Sequence, residues 1–93
     1  MAQLLTNAEI LERAKVLSGW TVENSKLQTS RTFKNFIQAI EFVNKLVEPA
    51  ESAGHHPDIE ISYNKVKITL TTHDAGGLTQ KDFELAEAIS QIK

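Results

Sequence analysis

From Ile59 to Leu70 apolar and polar positions alternate: Ile59, Ile61 and Tyr63 against Glu60 and Ser62, then Val66, Ile68 and Leu70 against Lys67 and Thr69. A period of two belongs to strands with one buried face. "DIEISYN" and "KVKITLTTH" therefore predict a half-buried antiparallel hairpin. A second pair, "GWTVE" and "KLQTSRTF" (residues 19–23 and 26–33), is split by Asn24-Ser25, a turn signal. Elsewhere the period lengthens to that of a helix. Thr6-x-x-Glu9 is a capping box with Leu5 and Ile10 as a staple; Ile10, Leu11, Ala14 and Leu17 form its stripe, and Gly19 ends it. Asn35-x-x-Gln38 starts a second helix with Phe36, Ile37, Ile40, Val43, Leu46 and Val47 as its apolar face, and Pro49 and Gly54 bracket a frayed end. Thr79-x-x-Asp82 opens a third, stapled by Leu78 and Phe83 and continued by Leu85, Ala86 and Ile89. The predicted order is α-β-β-α-β-β-α. The fold class is α+β: a four-stranded antiparallel sheet with helices packed on one face.

The hairpin also predicts a register. A two-residue loop at Asn64-Lys65 sets Tyr63 opposite Val66, Ile61 opposite Ile68 and Ile59 opposite Leu70, so that apolar meets apolar. The same ladder carries His56 to a place opposite His73. All three histidines, His55, His56 and His73, then gather at one end of the sheet, with Pro57 stiffening the entrance. Both His55 and His73 are expected at the rim, partly exposed. Glu51 lies four residues before His55 at the end of the second helix, where its carboxylate can fix an imidazole tautomer.

Length and charge exclude more than they assign. The 93 residues predict a single domain, 1–93, with a marginal core and no cysteine to staple it. Self-association is expected to add stability. Formal net charge is −2 and the ten Lys and Arg are scattered, so no basic stripe for nucleic acid exists. "MAQLLTNAEILERAKVL" does not read as a signal peptide, and no apolar run approaches a membrane span of about 20 residues. The expected setting is the cytoplasm.

Taken singly, each histidine is most simply a surface or capping residue, and Trp20 and Tyr63 read as core or interface. The convergence of three imidazoles with a carboxylate leaves two chemistries open. They could hold Zn²⁺, although adjacent side chains such as His55 and His56 diverge on an extended chain. They could instead perform acid–base catalysis at neutral pH. Gly76-Gly77, before the Thr79 cap, could expose amides to an anion or simply make a tight turn.

The run Glu51-x-x-x-His55-His56-Pro57, Tyr63-Asn64-Lys65-Val66, Thr69-x-Thr71-Thr72-His73-Asp74 and Gly77-Leu78-Thr79 closely resembles the pterin-4a-carbinolamine dehydratases. The likeness extends to Trp20 and Phe33-x-x-Phe36. It implies dehydration of 4a-hydroxytetrahydropterin to quinonoid dihydropterin and water, which recycles the cofactor of aromatic amino-acid hydroxylases. It implies no cofactor and no metal, and a homodimer or homotetramer built through edge strands and helix faces. By this resemblance His55 and His73 are the acid–base pair and His56 assists. Glu51 orients or binds, and the chain around Pro57, Thr72, Asp74 and Ala75 contacts the pterin. Family members often carry an aromatic two residues after the proline; here it is Ile59, which touches the shape of the pocket mouth and not the histidine chemistry. The alternative is a non-catalytic pterin-binding or protein-interaction module on the same fold.

Overall fold

The computed structural model describes residues 3–93. Met1 and Ala2, which open the segment expected not to be a signal peptide, lie outside them. The elements are α1 (Asn7–Lys15), β1 (Thr21–Glu23), β2 (Lys26–Thr32), α2 (Phe36–Lys45), α3 (Val47–Ala53), β3 (Asp58–Ser62), β4 (Lys65–Leu70), a 3₁₀ turn (His73–Ala75) and α4 (Gln80–Ser90). The α+β order holds, with one helix divided in two. Among the described residues no helix is long and apolar enough to cross a membrane.

The sheet runs β1-β2-β4-β3 and is antiparallel throughout. Its inner face is set by the period-two pattern. Leu27 pairs with Leu70, and both are buried with Val66 and Ile68 against Ala39 and Phe42 of α2 and Phe83, Leu85, Ala86 and Ile89 of α4. A charge also stands on this face. Arg31 lies 4.5 Å from the centroid of the Phe42 ring and donates to the carbonyls of Ile89 and Ile92. Its guanidinium thus satisfies the open carbonyls at the end of α4, where a cation is favoured.

The hairpin register differs from the expected one. Ser62 pairs with Lys65, so the loop is Tyr63-Asn64, one residue earlier. Moving a two-residue loop by one position moves every pair by two. Ile59 therefore faces Ile68 and Ile61 faces Val66; the faces are kept and the partners change. Extended, this ladder would set His56 level with Thr71, not His73. Tyr63 takes φ 53° at the tip, a left-handed backbone uncommon for a bulky residue, with its ring exposed. Asn64 anchors that tip by donating from Nδ2 to the Phe33 carbonyl at 2.7 Å.

The helix faces also need correction. In α2 the buried residues are Ala39 and Phe42, followed by Leu46 just beyond its end, a spacing of i, i+3, i+7. Phe36, Ile37 and Val47 are exposed, while Ile40 and Val43 are half-buried. The helix carries two apolar stripes, and only one meets the sheet. In α1 no residue is fully buried: Ile10, Ala14 and Leu17 pack partly against the core, and Leu11 is 67% exposed. Gly19 does not end this helix, which stops at Lys15.

The capping box of α1 is present, with Thr6 Oγ1 accepting from the Glu9 amide and Glu9 accepting from the Thr6 amide. These hydrogen bonds hold the Glu9 carboxyl below its ordinary value. The folded value being the lower, this contribution is present at neutral pH and fades as acid titrates Glu9 through its lowered range. Glu9→Ala is expected to lower the urea midpoint with an unchanged slope at pH 7, and by less at pH 3, where the native carboxyl is itself titrating. An equal drop at both pH values would argue against the reciprocal box.

Candidate active site

Pro49 begins the construction of the site. It has no amide hydrogen to donate to the Lys45 carbonyl, and its ring crowds that group. The long helix accordingly breaks at Leu46, whose amide makes a tighter bond to the Val43 carbonyl. Beyond the break the chain does not fray. It forms a short helix, α3, closed by Gly54 in the left-handed conformation (φ 62°). The His55 amide returns to the Ala50 carbonyl across this cap at 3.1 Å. The chain leaves extended, and successive side chains point apart.

His55 turns inward. Its Nε2 lies 2.6 Å from Oδ1 of Asp82, and the side chains are 11% and 0% exposed. Asp82 is the third residue of α4 and completes that helix's capping box. Its Oδ2 accepts from the Thr79 amide at 2.9 Å and from Thr72 Oγ1 at 2.8 Å. Thr72 Oγ1 in turn meets Thr79 Oγ1 at 2.8 Å. A carboxylate that receives these donors accepts from His55 as well, so Nε2 carries the proton and Nδ1 is left with a lone pair. His56 turns outward, with Nε2 2.6 Å from Oε2 of Glu51; both are about two-thirds exposed. Glu51 thus orients His56 and not His55. His55 keeps the expected partial exposure, at 11% of its side chain, but it faces inward onto Asp82.

The third histidine arrives from the other strand. After Leu70, Thr71 Oγ1 donates to the Ser25 carbonyl, tying the chain to the β1–β2 turn. The Thr72 carbonyl then accepts from the amides of Ala75, Gly76 and Gly77, and the Thr72 amide donates to Gly77. This tight loop, with Gly76 at φ 79°, presents His73 to solvent. The Gly76 and Gly77 amides are spent on it, so the glycines make a turn and not an anion cradle. A Cβ at Gly77 would come 3.1 Å from Cδ2 of Leu4, so the loop is also braced by the chain entering α1.

These groups border one hollow of about 250 Å³, lined by Gly54, His55, His56, Thr71, Thr72, His73, Asp74 and Lys81. Of the sequence-predicted residues it brings together His55, His56, Thr72, His73 and Asp74. Glu51 and Pro57 line an adjoining apolar cleft of about 220 Å³ with Val47 and Ile59, and His56 stands between the two. Ala75 lines neither. Larger hollows flank α1 and α4 but contain no imidazole. Among the described residues no group of three His, Asp or Glu is placed to hold a metal ion. Two residues of the site went unnoticed in the sequence. Asp82 reads there only as a helix cap, and Lys81 gives no signal. The cue available for Asp82 was its chemistry at the cap: a short acid there keeps one oxygen free for a partner outside its helix.

An α+β fold thus presents one carboxylate-held imidazole and one exposed imidazole to a small hollow, groups able to give and take a proton near neutral pH. The comparisons with known proteins assign the family. A family model described as pterin 4 alpha carbinolamine dehydratase matches residues 3–92. The chain is 83% identical to a Nostoc punctiforme protein carrying that family name, over 100% of both chains, and 79% identical to one from Trichormus variabilis over 99% of each. It superimposes with a TM-score of 0.87, at 33% identity, on a transcriptional coactivator/pterin dehydratase from Brucella melitensis, covering 92% of this chain and 94% of that one. The chain belongs to the pterin-4-alpha-carbinolamine dehydratase family, a family of hydro-lyases.

Proposed function

We propose that the chain dehydrates 4a-hydroxytetrahydropterins to quinonoid dihydropterin by imidazole acid–base catalysis, with His55 as base and His73 as acid. The observation that supports this most is the buried Asp82–His55 pair, which leaves Nδ1 of His55 as an unspent base on the wall that His73 shares. Nδ1 takes the proton from N5. The N–H electron pair becomes the N5=C4a bond as the C4a–O bond breaks. The oxygen leaves with that bond's pair and a proton from the His73 imidazolium, as water. Asp82 balances the charge that appears on the His55 ring. The His73 imidazole makes no hydrogen bond among the described residues and is exposed, so its ring nitrogens can exchange protons with solvent. His56, held by Glu51, assists at the edge of the hollow, and the backbone around Pro57, Thr72, Asp74 and Ala75 frames the pterin. Ile59 lies in the apolar cleft beside the hollow, so this departure from the family pattern leaves the acid–base pair untouched. Recycling of the pterin of an aromatic amino-acid hydroxylase, in the cytoplasm, is the corresponding role.

The test is a spectrophotometric assay of 4a-carbinolamine decay with and without EDTA. Acceleration indifferent to EDTA is expected. Pterin binding without turnover would favour a binding or interaction module, and tight stoichiometric zinc a metal protein.

Self-association is part of the same proposal. β3 is an edge strand whose five residues are all exposed, Ile59 and Ile61 among them. Phe36, Ile37 and Val47 are exposed on α2 and at the start of α3. An uncovered edge and an apolar stripe are surfaces that a second copy of the chain would close. Light scattering at micromolar concentration is expected to give the mass of a dimer or tetramer, and Ile61→Lys, which sets a charge on the edge, is expected to lower it. A monomeric mass for the native chain counts against this.

A further inference from the structure

We infer that Lys81 is a specificity-determining residue that selects pterins with an anionic tail, phosphate or carboxylate; this rests on the pterin reading of the histidine hollow. The hollow of about 250 Å³ lies below the roughly 300–1,000 Å³ of ordinary small-molecule sites. It suits a flat bicycle and little more, so a substituent on the ring must leave over the rim. Lys81, on the first turn of α4, belongs to that rim. It also lines a second, larger hollow of about 540 Å³ between the start of α1 and the start of α4. The wall dividing the two is the Thr72–Thr79 hydroxyl pair, with Thr72 on one side and Thr79 on the other. Lys81 also borders a third hollow of about 370 Å³ beside α3, but that one is lined mostly by apolar surface, so an anionic tail passing over Lys81 is drawn into the second.

The hydrogen-bonding inventory of that hollow is one-sided. Its acids are engaged: Glu9 by the Thr6 amide and Glu84 by Gln80 Nε2 at 3.0 Å. Its cations, Lys81 and Arg13, make no ion pair within 4.0 Å and no side-chain hydrogen bond among the described residues. The Arg13 charge acts on Glu9 and, after the Thr6 hydrogen bonds, helps hold its carboxyl low, which leaves the three ammonium donors of the exposed Lys81 unspent in the cleft. The ligand chemistry that completes them is an oxyanion. Asp74 also lines the histidine hollow, and its carboxylate disfavours an anionic tail beside it.

The test compares a tetrahydropterin 4a-carbinolamine with a neutral polyol tail, its terminal phosphate ester, and a glutamyl-bearing analogue. The native chain is expected to show a higher kcat/KM for one or both anionic substrates, carried by KM and reduced by salt. Lys81→Gln is expected to lower the anionic-to-neutral ratio about threefold to tenfold, the range between exposed ion pairs and hydrogen bonds to charge. Arg13→Gln is expected to lower it by less, and Lys81→Arg to keep it. An unchanged ratio in Lys81→Gln, or no preference in the native chain, overturns the assignment. Calorimetric binding of the corresponding oxidised pterins reads the same ratio without turnover. Discrimination in binding without dehydration would sink the proposed reaction and keep Lys81; binding of none of them would sink both.

Discussion

The chain with both His55 and His73 replaced by alanine is expected to fold, bind pterin and have lost its acceleration of 4a-carbinolamine dehydration. Each single change is expected to lower the rate by about 10²–10³-fold, the lower half of the range for general acid–base groups, because the uncatalysed reaction is itself feasible. The double change is expected to exceed either, since one ring takes the N5 proton and the other gives a proton to the leaving oxygen. The two singles differ in their effect on the fold. His73 is exposed on a loop that closes through backbone bonds, so its truncation is structurally mild. His55 is a partner of a fully buried carboxylate. Its loss leaves Asp82 with two donors in place of three, a cost of about 1–3 kcal/mol, against a typical total of about 5–15 kcal/mol. His55→Gln keeps an N–H for Asp82 without a group that titrates near neutrality, which separates the lost base from the lost contact. His56→Ala is expected to cost less than either, and Glu51→Ala to act only through His56. A folded, pterin-binding double variant that turns over at the parent rate would remove the catalytic assignment.

The clustering of the histidines was legible in the sequence for a reason that holds only in part. The ladder that set His56 opposite His73 is off by two residues, because the loop is Tyr63-Asn64. The histidines still converge, because His55 and His56 precede β3 and His73 follows β4, and an antiparallel hairpin brings those two ends together in any register. Element order and the three helix starts were readable because they depend on local chemistry: Thr6, Asn35 and Thr79 accept from their own first turns or complete capping boxes. What depends on tertiary packing was not. The exposed stripe of α2 looks as apolar as the buried one, and the sheet, not the helix, chooses Phe42 over Ile37. Glu51 was matched to His55 by helical spacing, but Gly54 turns the chain before His55 is reached, and the carboxylate meets His56. Asp82 was hidden because its partner lies 27 residues away, across the packing of α3 on α4.

Asp82 is therefore the residue whose replacement is expected to affect both fold and chemistry, and two variants divide the effects. Asp82→Ala strips the acceptor from His55 Nε2, Thr72 Oγ1 and the Thr79 amide together. Breaking a buried pair from one side costs about 3–5 kcal/mol, and the cap of α4 is lost with it. In a chain of 93 residues with no disulfide, urea unfolding is expected to begin close to zero denaturant. Asp82→Asn keeps the volume and the cap, because its amide oxygen accepts from the Thr79 amide as the carboxylate did. With that oxygen so engaged, its NH₂ faces His55 and donates to Nε2, which moves the ring proton to Nδ1. The lone pair that served as base is then gone, and no negative charge remains to balance an imidazolium. The folded Asp82→Asn protein is expected to lose about 10²-fold or more in rate, as when a buried aspartate behind a catalytic imidazole is made neutral. Nitrogen-resolved NMR of the His55 ring is expected to report the tautomer change directly. A purely structural Asp82 predicts the opposite pattern: Asp82→Asn would restore stability, leave the proton on Nε2 and dehydrate at the parent rate.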